Sequence, residues 1–157
     1  MRVITTITFC VLVLTQISCK SQKQTGVSEQ TENSSEIVLI DSDEYSNIYE
    51  LETLVIRDSK SLAKFYSKIN KTRKPGLPVP SIDFSAYTAL IVCAGEQKPN
   101  SKMVLSYGES QDNILTINIE QDNPKDSKES QITVVTYPFY VYTIPLTDKT
   151  IDFHHLK

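Results

Sequence analysis

The chain is poor in the residues from which most catalytic sites are built. It has four glycines in 157 residues, and none of them forms a phosphate-cradling cluster. Its two histidines, His154 and His155, are adjacent near the end of the chain. Neighbours on a strand point to opposite faces, so one metal ion would not take both. There are three cysteines, of which Cys10 and Cys19 lie in the N-terminal segment. That leaves Cys93 alone in "TALIVCAG", without a disulfide partner or a histidine base placed by sequence, and it reads as a small buried hydrophobe. No Gly-x-Ser-x-Gly elbow occurs. From Ile37 onward 13 Lys and Arg face 16 Asp and Glu, so the basic stripe of a nucleic-acid binder is missing. These shortages predict a non-catalytic chain with no metal, no cofactor and no nucleic-acid partner.

Long apolar runs are also scarce. Arg2 gives the N-terminus a positive start, and residues 3–14 are apolar apart from threonines. About a dozen apolar residues are too few to cross a hydrocarbon core of about 30 Å as a helix, and residues 1–18 read as a targeting signal. The signal ends in "QISC", with small Ser18 directly before Cys19. This resembles the lipobox of bacterial lipoproteins, in which the cysteine is acylated and becomes the first mature residue. Gln16 stands where that motif usually carries leucine. The resemblance implies lipidation at Cys19 and anchoring in the cell envelope, with the outer membrane as the expected location. Each buried acyl methylene contributes about 0.8 kcal/mol, so several chains hold almost permanently. Residues 20–36 contain one apolar side chain, Val27, and residues 19–36 therefore read as a lipidated cysteine and flexible tether.

Residues 37–157 form one predicted domain, large enough to build a core without disulfides. "ELETLVIRD" reads as a strand. In "DSKSLAKFYSKIN", Leu62, Phe65, Tyr66 and Ile69 recur at i, i+3, i+4 and i+7, the spacing of one helix face. Asp58 or Ser59 can cap its start. "NKTRKPGLPVP" ends the helix with three prolines and a glycine and reads as an extended loop. "YTALIVCA" is apolar on both faces, as a central strand requires. "KMVLSYG" and "NILTINIE" flank the hairpin turn "ESQDN". Beyond the polar "QDNPKDSKES", the strand-like "QITVVTY" and "FYVYTI" follow, and "TIDFHH" adds a short last strand. Asp122, Asn123 and Asp126 supply oxygens in the polar stretch but lack the spacing of a calcium loop. The expected fold class is α+β, a mostly antiparallel sheet, sandwich or partly open barrel, with one helix near the start of the domain.

"TYPFYVYTIP" packs four aromatic rings into ten residues, three of them between Pro138 and Pro145. Pro138 lacks an amide hydrogen and marks an edge, a bulge or a bend. Phe139 and Val141 then face the core. Tyr140 and Tyr142 face the other way; the stretch reads first as a core strand, and in the alternative this second face is a half-exposed aromatic binding surface, its rings over apolar neighbours and its hydroxyls in water.

The order of these pieces, with Asp83-Phe84, Gly95, Lys98, Pro99 and the Tyr137-Pro138 strand start, resembles the PrcB-like C-terminal domain family over about residues 56–144. That family is named for a lipoprotein subunit of a surface protease complex. After Pro99 it often continues with threonine, two glycines and a tyrosine, where this chain has Asn100, Ser101, Lys102 and Met103. The resemblance implies a non-catalytic accessory role beside another envelope protein. The expected contact residues are Glu96, Lys98, Pro99 and Asn100 in the loop, with Tyr140 and Tyr142 on the strand. The alternatives are a small-ligand-binding lipoprotein whose pocket is lined by Tyr140 and Tyr142, and, last, a hydrolase.

Overall fold

A computed structural model describes residues 36–98, 101–122 and 134–156. Its elements run β1 (Val38–Asp43), β2 (Leu51–Ile56), α1 (Ser59–Ile69), β3 (Tyr87–Ala94), β4 (Lys102–Gln111), β5 (Ile114–Asp122), β6 (Phe139–Pro145) and β7 (Thr150–His155). The fold is α+β and mostly antiparallel, and it does not close into a barrel. Two sheets form, in the orders β1-β6-β3-β2 and β4-β5-β7.

The helix forms where the sequence pattern places it. The Asp58 carboxylate caps it by accepting from the Ser61 amide at 2.8 Å. Leu62, Phe65, Tyr66 and Ile69 are its buried residues. Each such side chain contributes about 1.5–3 kcal/mol when fully removed from water. They pack on Ala89, Ile91 and Cys93 of β3 and on Phe139 and Val141 of β6. Phe65, Tyr66 and Phe139 meet edge to face, with centroids 5.6 to 6.1 Å apart. Beyond the helix, the Asn70 side chain ties down the proline loop, donating to the Leu77 carbonyl and accepting from its amide.

The alternate residues of the central strands turn to a second core. Leu90, Val92 and Ala94 of β3 join Tyr140, Tyr142 and Ile144 of β6 there. Met103 and Leu105 of β4 and Ile117 and Ile119 of β5 cover them from the second sheet. The four-stranded sheet thus lies between a helix and another sheet, and its central strands are apolar on both faces for that reason.

Three details depart from the pattern reading. Val38–Asp43 forms a strand that the sequence left unassigned, paired to β6 with a register shift between Leu39 and Asp41. The shift puts Asp41 and Asp43 opposite Val141 and Phe139, on the helix side, where Asp41 accepts from the buried Tyr66 hydroxyl. β7 pairs with β5 in parallel, an exception in an otherwise antiparallel arrangement. "QITVVTY" is not a continuous strand in its described part, since Thr136 and Tyr137 make only isolated bridges, to Gln97 and Tyr45. Its first three residues, and Asn123 and Asp126 of the polar stretch, lie outside the described residues.

Candidate functional site

The tyrosine face of β6 is not the half-exposed surface that strand alternation allowed. Tyr140 and Tyr142 are each 7% exposed, and their rings stack at 6.5 Å beneath the second sheet. Their hydroxyls donate to protein rather than to water, Tyr140 to the Ser101 carbonyl at 3.2 Å and Tyr142 to the Met103 carbonyl. Burial pushes both phenols up, Tyr142 to about 12. Strand β4 passes over these rings and takes the hydrogen bonds that solvent would have made. Both rings are core residues between the two sheets rather than an exposed face.

An aromatic surface is built elsewhere, from residues the pattern did not single out. Tyr45 and Tyr49 flank the turn between β1 and β2 and are 49% and 65% exposed. Tyr49 meets the half-buried Tyr137 edge to face, centroids 4.9 Å apart and planes at 77°. Tyr45 and Tyr137 are joined by a parallel backbone bridge, which sets their side chains next to each other. The three rings form one corner of the molecule.

Local chemistry holds that corner in place. Asp43 accepts from the Tyr45 amide at 2.8 Å, and Arg73 bridges the Asp43 carboxylate and the Tyr45 carbonyl. The Tyr45 hydroxyl donates to the Val135 carbonyl at 3.3 Å. The Tyr137 carbonyl accepts from both the amide and the hydroxyl of Ser46, at 2.7 and 2.8 Å. Asn47, at φ 58°, turns the chain between the two exposed rings and donates to the Ile69 carbonyl at the helix end. Gly95 sits at φ 68°, and a Cβ there would lie 3.1 Å from the Tyr49 carbonyl oxygen. Only a glycine lets the end of β3 come so close to the backbone that carries Tyr49.

Two expected contact residues fall beside this corner. The Tyr137 hydroxyl donates to the exposed Glu96 carboxylate at 3.4 Å, a long bond. Partial desolvation and then the Glu96 charge hold the Tyr137 phenol above its ordinary range. Lys98 is exposed two residues further along the same loop. Cys19, Pro99 and Asn100 lie outside the described residues. The structure therefore brings Glu96 to the half-buried Tyr137, which Tyr49 meets edge to face, rather than to Tyr140 and Tyr142. The available sequence signal was "DEYSNIYE", two tyrosines in an acidic, non-periodic stretch that gives only Ile48 to the apolar core.

A second concavity, of about 570 Å³, lies on the outer face of the three-stranded sheet, where Gly108, Glu109, Thr116, Asn118, Asp152 and His154 line it. The His154 ring and the Asp152 carboxylate approach to 3.3 Å, both largely exposed. Cys93 is fully buried in the core on the helix side, and burial, with a smaller contribution from Glu52, pushes its thiol up to about 12. Asp83 accepts from the amide and hydroxyl of Ser85, and these bonds hold its carboxyl below the usual range. Among the described residues no three His, Cys, Asp or Glu side chains are grouped to hold a metal ion, and no helix is long and apolar enough to cross a membrane. No family model, no curated protein and no solved structure matches this chain.

Proposed function

We propose that the chain is a lipid-anchored accessory module of the cell envelope that binds another envelope protein through its tyrosine corner. The observation that carries this reading is a set of large rings left in solvent yet fixed in position by the Asp43–Arg73 pair, Ser46 and Gly95. Tyrosine supplies much contact area at small entropic cost, and rings already held in place lose little more on binding. The N-terminal signal, the "QISC" motif and the polar tether support the anchored location. Positions that carry the PrcB-like resemblance, Gly95 and Tyr137, meet at this corner, which supports the accessory role.

The test is site-specific photo-crosslinking of the full chain in its own cells. A photoreactive residue at Tyr49 should give a discrete adduct with one envelope protein. The same group at Lys64, on the exposed side of the helix, should give none. No adduct from position 49, or the same adducts from both positions, overturns the reading.

A further inference from the structure

The tyrosine corner has a chemistry more specific than aromatic contact. Tyr49 and Tyr137 stand at 77° with centroids 4.9 Å apart, so the face of one ring and the edge of the other border the same corner. Tyr45 adjoins Tyr137 through the backbone bridge. Aromatic faces carry negative charge density, and several rings together attract a cation. An exposed carboxylate rims the ring pair, since Glu96 accepts from the Tyr137 hydroxyl. The nearest guanidinium, that of Arg73, is engaged by Asp43 and the Tyr45 carbonyl and does not neutralise this rim. Lys98 is the one exposed cation on the adjoining described loop, two residues beyond Glu96.

From this complementarity we infer that Tyr45, Tyr49, Tyr137 and Glu96 form a recognition site for an alkylammonium group, a lysine side chain of the bound protein. A quaternary ammonium needs only ring faces. A primary ammonium also needs a hydrogen-bond acceptor, and the exposed Glu96 carboxylate supplies one, which favours lysine. The corner is open rather than enclosed, so a side chain projecting from a protein surface can reach it. The inference rests on the docking role proposed above and names the group that docks there.

The experiment uses the full chain in a maltoside detergent, with tyrosine ring resonances followed by NMR. The probes are acetyl-Gly-Lys-Gly-amide, the same peptide with its lysine Nε-acetylated, and phosphocholine. The lysine peptide should shift the Tyr49 and Tyr137 resonances saturably, and the acetylated peptide should not. Tyr49→Ala should weaken binding about two- to fivefold, the range of an exposed cation–π contact. Glu96→Gln should weaken it by about the same factor, and added salt should reduce that difference. Tyr49→Phe keeps the ring face and should bind as the wild type does. Equal binding of the acetylated peptide, no saturation with the lysine peptide, or wild-type binding by both Tyr49→Ala and Glu96→Gln overturns the inference. Saturable phosphocholine binding with rejection of the lysine peptide also overturns it, in favour of a headgroup. A position-49 crosslink to a protein, with no lysine binding, leaves the docking role standing and removes the ammonium assignment. Lysine binding without a crosslink does the reverse.

Discussion

Tyr140 and Tyr142 on one side, and Tyr45 and Tyr49 on the other, are the same residue type put to opposite uses. The first pair is 7% exposed each and stacked between two sheets, with backbone carbonyls accepting from its hydroxyls. The second pair is about half exposed or more and is held through its backbone and neighbours. A buried tyrosine is stable only where its hydroxyl finds a partner, and Ser101, just before β4, and Met103 within it offer one to each ring of the first pair. Among the described residues no layer covers the turn between β1 and β2, and the rings of Tyr45 and Tyr49 are exposed. Burial of a tyrosine is decided by what passes over it, not by its own strand.

The largest effect that sharpens this contrast is expected at Tyr142. Tyr142→Ala should lower stability by about 3–5 kcal/mol, as truncation of a large buried ring does. Tyr142→Phe should cost only about 1 kcal/mol, because the ring volume stays and one hydrogen bond is lost. Chemical denaturation of both variants measures these values, and a Tyr142→Ala loss below that of Tyr142→Phe would break the assignment of this ring to the core.

Cys93 comes next and tests the helix-side core. The native thiol should resist alkylation until denaturant is added, and Cys93→Ala should cost about 1 kcal/mol or somewhat more. Its folded value is raised from 9.0 to about 12, so the folded state holds the proton more tightly than the unfolded one. The resulting stability is fully present below pH 9 and is lost as pH rises toward 12. Melting temperature should therefore fall across that window, and less steeply for Cys93→Ala. Tyr142 acts in the same direction between its ordinary 10.0 and about 12. Rapid alkylation of the native protein would contradict burial.

The smallest effect on stability is expected at the exposed corner. Tyr49→Ala should change stability by no more than about 0.5 kcal/mol, as surface substitutions do. A loss of several kcal/mol would make Tyr49 a packing residue and erase the contrast with Tyr142.

Much of the layered core can be read from residue order. The i, i+3, i+4, i+7 pattern at Leu62, Phe65, Tyr66 and Ile69 identifies the buried helix face, and "YTALIVCA" announces a strand apolar on both sides. The hairpin also follows from its residues, since β4 and β5 meet across Asp112 and Asn113, with Asp112 at φ 49°. β1 was less legible. Its Val38, Leu39 and Ile40 are 41 to 49% exposed at a sheet edge, and the bulge between Leu39 and Asp41 breaks the period that would have announced a strand. The tyrosine corner was least legible, because Tyr45, Tyr49, Glu96 and Tyr137 lie on three separated segments that periodicity does not connect.

By itself the sequence determined the helix, the central strand, the hairpin, the proline loop and the burial of Cys93. These are local matters of dihedral preference, capping and the spacing of apolar side chains. Only the tertiary structure decided which tyrosines meet water, that β7 lies parallel to β5, and that Gly95 brings the Glu96 loop against Tyr49 and Tyr137. Alternation along a strand tells on which side a ring lies. Whether that side is covered depends on segments far away in the chain, and no local pattern encodes their arrival.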